Sequence, residues 1–292
     1  MKRACLQSNT NQVQHKLIGD RRKEVLCQAN SLIKEKIWQV ESLFRFTLTA
    51  IVIVMLVSIF NINSFGQAKS KRNIAVIQTN VGEDGKGFEI YFQKSKSFDK
   101  PTFAFWIEDS DGKYLQTLYV TNYLATGVYG HAQLAEGKPR SKPGPAKRPS
   151  SLPYWLHKRN VRADGVTYLP TPDKPVPDAI TGATPKKDFL LKTVATGQLP
   201  RKFKLLMEIN QAWDFNSYWN KDLYPGEFDY SYSCQPALVY SVDIDLNYPE
   251  KEYKLACVGH SDYAGKTGTL FPDISTFTTA LEIVKEIKVV LK

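Results

Sequence analysis

Beyond residue 69 the apolar positions come in short runs with partial alternation, not at the three-to-four-residue spacing of an amphipathic helix. NIAVIQT (73–79), GFEIYFQ (87–93), TFAFWIED (102–109) and KYLQTLYVT (113–121) are rich in β-branched and aromatic residues and predict strands. Turn signals divide them, GEDGKG at 82–87 and EDSDGK at 108–113; the second holds the Asp-Gly pair that favours a tight hairpin. A second set follows: DFLLKTVAT (188–196), KFKLLMEIN (202–210), ALVYSVDIDL (237–246), EYKLACVGH (252–260) and EIKVVLK (286–292). Two short helices are predicted, over SLPYWLHKR (151–159) and over DISTFTTALEIV (273–284), the latter capped by Asp273 or Ser275. Many short strands without alternating helical segments predict a mainly β chain folded as an antiparallel sandwich.

Between the two sets lies GKPRSKPGPAKRPS (137–150), a basic Pro/Gly/Ser loop that cannot enter a ladder. It reads as a solvated insertion or as a docking site for an acidic partner or lipid headgroup. A proline-rich stretch, YLPTPDKPVPDA, follows at 168–179.

Upstream, residues 46–62 (FTLTAIVIVMLVSIFNI) are apolar except for threonines, one serine and Asn61. Lys34, Lys36 and Arg45 precede the run and SFGQAKS follows it. This is the layout of a secretory signal cleaved after Ala68. It is also only a little short of the roughly 20 residues of a membrane anchor. On either reading residues 1–68 are a leader, and residues 69–292 are expected outside the cytoplasm.

The formal charge of +10 is concentrated in that leader, where nine Lys/Arg face four Asp/Glu; residues 69–292 carry 30 against 25. An ordinary charge density there argues against a nucleic-acid partner. Cys5 and Cys27 fall in the leader, leaving Cys234 and Cys257 as an even pair that is either a disulfide or two buried thiols. No CxxC, CxxCH or His/Cys cluster points to zinc or attached haem.

No catalytic residue stands out. His131, His157 and His260 lack metal-ligand spacing, Ser261 and Asp262 merely follow His260, and no Gly-x-Ser-x-Gly elbow occurs. GHSDYAGKTG (259–268) lacks the first glycine of a phosphate loop and reads as a turn between strands. Glu108, Asp109 and Asp111 read as solvated hairpin acids, with bound calcium the remoter reading.

DAITGAT (178–184) is different. Asp178, Thr181, Gly182, Ala183 and Thr184 resemble the Asp-x-x-Ser/Thr-Gly-Ala-Thr signature at which a periplasmic FMN transferase attaches flavin to exported proteins. The resemblance implies a phosphodiester from FMN to Thr184. The residue types suit that chemistry: Gly182 and Ala183 remove bulk beside the reacting hydroxyl, and Asp178 can order the segment through side-chain to backbone hydrogen bonds. The same residues also suit an ordinary surface turn before a strand. In the familiar covalent FMN-binding domain the motif leads into a helix, whereas here Pro185 and KKDFLLKTVA lead into a strand.

A broader resemblance runs from about residue 73 to the end. FAFWIEDSDGKYLQTLYV (103–120), LPYWLHKR (152–159), DAITGAT, YKLACVGHSDYAGKTG and TALEIVKEIKV are similar in order and spacing to the bacterial periplasmic domain of unknown function 2271 family. That resemblance implies an immunoglobulin-like sandwich with one or two short helices. It also implies a neighbourhood of flavin transferases and PepSY-type membrane redox proteins concerned with extracytosolic electron transfer or iron uptake. The chain departs from the family over residues 211–236, where Trp213, Phe215, Tyr218, Trp219, Tyr224, Phe228, Tyr230 and Tyr232 crowd a stretch too irregular for a helix. Rings of this kind either close one end of the core or stack on a flat ligand. With FMN on Thr184, the residues to sandwich its ring system are Trp155, Trp213 and Trp219. The sequence therefore predicts an exported flavin carrier, against the alternative of a cofactor-free β-sandwich that binds a partner or small ligand; a hydrolase is a distant third.

Overall fold

The computed structural model describes residues 74–132, 142–163, 165–176, 181, 182 and 184–292, with isolated positions 34, 36, 38 and 39. The chain divides into two units, Met1–Arg72 and Asn73–Lys292, and the strands and helices below belong to the second. The apolar run at 46–62 lies outside the described residues, among which no helix is long and apolar enough to cross a membrane.

In chain order the strands begin with β1 (Ala75–Gln78), β2 (Gly85–Lys94), β3 (Thr102–Asp109), β4 (Tyr114–Thr121), β5 (Val128–Tyr129) and β6 (Gly144–Pro145). Then come β7 (Arg162–Ala163), β8 (Val166–Thr167), β9 (Thr181–Gly182), β10 (Phe189–Thr196) and β11 (Lys202–Asn210). The last are β12 (Leu238–Asp245), β13 (Tyr253–Lys254), β14 (Ala256–His260) and β15 (Val284–Leu291). Three short helices interrupt them: α1 (Asn122–Thr126), α2 (Pro153–Lys158) and α3 (Phe228–Ser233).

The protein is mainly β, as the alternation predicts. Strands β1-β10-β2-β15-β13 form one sheet and β14-β12-β11-β3-β4-β9 the other. Pairing within them is antiparallel except at two edges, where β1 runs parallel to β10 and β9 parallel to β4. On the first sheet Phe88, Ile90 and Phe92 of β2 and Phe189 and Leu191 of β10 alternate inward. They join Phe103, Phe105, Ile107, Leu205, Met207 and Ile209 of the second sheet in one apolar core, which is the interior of a sandwich.

The second sheet is covered on its other face too. Trp106, Val120, Leu206 and Val239 point outward against Leu152, Trp155 and Leu156 at α2. This explains why FAFWI reads as a continuous apolar run: a strand buried on both faces has no polar side to show.

Some expectations are corrected. The predicted helix over 273–284 is only a 3-10 turn at Thr279–Glu282. Its threonines are committed elsewhere, Thr276 Oγ1 accepting from Trp219 Nε1 and Thr279 Oγ1 accepting from Gln235 Nε2, so the segment is held by long-range hydrogen bonds instead of a helical ladder. The aromatic stretch, in contrast, does contain a helical turn, α3. Glu108 is no solvated acid: it is 2% exposed, accepts from Trp106 Nε1 at 2.9 Å and pairs with Lys158 at 3.2 Å. Asp109 is the hairpin residue proper, one carboxylate oxygen accepting from the backbone N–H of Asp111 and Lys113.

Candidate functional site

The second sheet ends, on one side, where β3 begins and β4 and β11 finish, because antiparallel neighbours exchange their ends; Thr102 lies opposite Asn210 in that register. Strand β9 runs parallel to β4, with Gly182 beside Thr121, so the backbone of Thr181 and Gly182 reaches this same end. Two residues on, half-buried Thr184 donates its hydroxyl hydrogen to the carbonyl of Pro101 at 3.3 Å. Asp178 and Ala183 lie outside the described residues, and Thr181 and Gly182 are placed as the backbone of β9.

Both neighbours of Pro101, Lys100 and Thr102, line a cavity of about 320 Å3. That is at the small end of the roughly 300–1,000 Å3 of small-molecule sites. Its walls come from three places in the chain. Tyr123 of α1, Tyr129 of β5 and His131 form one; Arg148 and Ser151, before α2, form the second; Ala212, Trp213 and Tyr232 form the third.

Two lining residues are held in uncommon backbone conformations. Trp213 has φ +57° and Lys100 φ +50°, in the left-handed region that side chains of this size avoid. The Trp213 backbone is pinned by its N–H to Tyr232 O at 2.8 Å and that of Asp214 to Ser233 O at 3.1 Å. The indole is left 43% exposed, edge-on to the His131 ring with centroids 4.9 Å apart.

Arg148 makes the charge of the cavity unusual. It is 6% exposed, its Nη2 donates to His131 O at 3.0 Å, and its guanidinium lies 3.4 Å from the Tyr232 ring centre and 5.6 Å from that of Tyr129. Its Nη1 is buried without a hydrogen-bond partner. Asp229 is near enough for Arg148 to oppose the rise that burial imposes on its carboxyl, yet no carboxylate among the described residues pairs with Arg148 directly. Lys100 and Asp99, both exposed, complete the charged lining. A flat ring face plus an anionic group is what such walls suit.

Of the three predicted stacking tryptophans only Trp213 reaches this cavity. Trp155 is fully buried under the second sheet, its Nε1 donating to Thr117 Oγ1 at 2.9 Å. Trp219 is 5% exposed in the sandwich core against Tyr230 and Phe277. Neither can stack on a ligand. Cys234 and Cys257 are both free, which corrects the disulfide reading: Cys234 Sγ contacts Ser231 O beyond α3, and Cys257 Sγ contacts Gly259 O on β14. Arg148 belongs to the loop predicted to be a solvated insertion; in its described part Ala146, Arg148 and Ser150 are buried while Lys147 is exposed. The letters AKRPS carry no local signal of that burial, since Lys147 and Arg148 are adjacent basic residues with opposite exposure.

No family model, curated protein or solved structure matches the chain.

Proposed function

We propose that the protein is an extracytosolic electron carrier, exported to the periplasm or held at the membrane by its leader, with FMN joined to Thr184. The observation that carries this reading is that Thr184 bonds to Pro101, whose two neighbours line a cavity in which Trp213, Tyr129 and Arg148 meet. A tether at Thr184 brings its cargo to that cavity. In the attachment the Thr184 Oγ attacks the FMN phosphorus of FAD; the new O–P bond replaces the pyrophosphate bond, AMP leaves, and the hydroxyl proton passes to the FMN transferase. Bound flavin supplies the redox chemistry; the chain binds and orients it and limits its contact with water. The resemblance to the domain of unknown function 2271 family, with its immunoglobulin-like sandwich, supports the same reading and suggests a membrane redox protein as partner.

The test is the intact mass of the chain coexpressed for export with an FMN transferase, beside Thr184→Ala. A mass increase of one FMN unit, lost in the variant, is expected. An unmodified mass, with the transferase active on a control substrate, removes the tether and leaves a cofactor-free binding module built on the same cavity.

A further inference from the structure

We infer that Arg148 is the phosphate-binding residue of this cavity, an inference that rests on the flavin reading and gives its phosphate a place. A guanidinium removed from water is costly unless its donors are met and its charge is opposed. Here one nitrogen donates to His131 O and the rings of Tyr232 and Tyr129 lie against the flat guanidinium, but Nη1 has no partner and no carboxylate pairs with it among the described residues. Cation–π contact offsets part of the lost hydration and leaves the in-plane donor unmet.

An arginine fork is matched to two oxygens of a phosphate, and Arg148 is one of the cavity's lining residues. Lys100 supplies a second cation on the strand-end wall next to Pro101, with Asp99 the carboxylate among the described lining residues. The indole of Trp213 is the exposed ring in the same space, so ring and phosphate recognition are adjacent. The site thus selects a flat heterocycle that carries a phosphate over one that does not.

The test uses the unmodified full chain, made without transferase, titrated with free FMN and with riboflavin and read by quenching of flavin fluorescence. Wild type is expected to bind FMN at least tenfold more tightly than riboflavin, with inorganic phosphate competing. Arg148→Met is expected to abolish that tenfold preference by weakening FMN at least tenfold more than riboflavin, and Arg148→Lys to restore part of it. Loss of packing alone would weaken both ligands together, so an equal fall in both overturns the proposal. Should Arg148→Met not fold, phosphate competition on the wild type decides, and its failure also overturns the proposal. Thr184→Ala is expected to bind free FMN as wild type does, which separates failure of the cavity from failure of the tether.

Discussion

The carboxylate of Glu208 holds the start of α2 by accepting the Trp155 backbone N–H at 2.7 Å and the Tyr154 N–H at 3.1 Å. Glu208 is fully buried on the outward face of β11, and burial pushes its carboxyl up to about 7 despite those hydrogen bonds. The folded state therefore binds the Glu208 proton more tightly than the unfolded chain, whose carboxyl titrates near 4.5. The contribution of Glu208 to stability is therefore fully present below pH 4.5, is lost as pH rises towards 7, and is flat above. A shift of this size is worth on the order of 3 kcal/mol. Urea midpoints across pH 4.5–8 are expected to show the fall in wild type, and Glu208→Gln is expected to reduce the slope in that window. Equal slopes in the two proteins would show that another group titrates there.

Lys158 closes the other end of α2. Its ammonium donates to Glu108 at 3.2 Å and to Gly112 O at 2.7 Å, which ties the helix to the β3–β4 hairpin. Glu108 is nearly inaccessible whereas the Lys158 side chain is 24% exposed. Removing one partner of a fully buried pair costs roughly 3–5 kcal/mol, and partial exposure lowers that to about 2 kcal/mol. Lys158→Met is expected to lose this much in chemical denaturation, and Lys158→Met with Glu108→Gln to recover part of it, since the double variant leaves no unpaired buried charge.

Gly127 ends α1 at φ +66°, and its carbonyl accepts the Ala146 N–H at 2.9 Å beside the cavity wall. A Cβ added there would stand 2.3 Å from Pro170 O, a backbone atom that cannot swing aside. Gly127→Ala therefore meets both an unfavourable dihedral and a clash, and is expected to destabilise by more than about 2 kcal/mol. Thermal melting checks this, with Gly130→Ala as the control: Gly130 meets nothing within 4 Å and its φ is not positive.

What the sequence made legible follows from what each pattern encodes. The alternation in FEIYFQ located β2 because one face of that strand is buried and the other is not, and EDSDGK located its hairpin because Gly112 adopts φ +81°. Edge pairing was not legible: β10 inserts between β1 and β2, a choice made by long-range packing that no local run records. For the site, DAITGAT singled out Thr184, but nothing in the spacing said that its hydroxyl would meet the carbonyl of Pro101, the residue next to Lys100. Composition misled about Arg148, since a basic proline-rich loop reads as solvated until the Tyr129 and Tyr232 rings that cover the guanidinium are assembled from elsewhere. Trp155 and Trp219 were indistinguishable from Trp213 as letters; only their backbone positions, on α2 against the second sheet and in the sandwich core, withdraw them.

Trp213 offers a separation of stability from binding. Its left-handed backbone costs roughly 1–2 kcal/mol that a glycine would not incur. Glycine gives some of this back through its freer unfolded chain, by about 0.4–1 kcal/mol, and through the modest burial lost with a ring that is 43% exposed. Trp213→Gly is therefore expected to change unfolding free energy by less than about 1 kcal/mol, although most large aromatic deletions in a folded protein cost several times that. Flavin binding has no such compensation, because the stacking surface is gone. Free FMN is expected to bind Trp213→Gly at least tenfold more weakly than wild type while the denaturation midpoint stays close. A large fall in stability with binding retained would instead make Trp213 a packing residue, and would move the ring of any ligand to Tyr123 and Tyr129, whose stacked rings are 6.2 Å apart across the cavity lining.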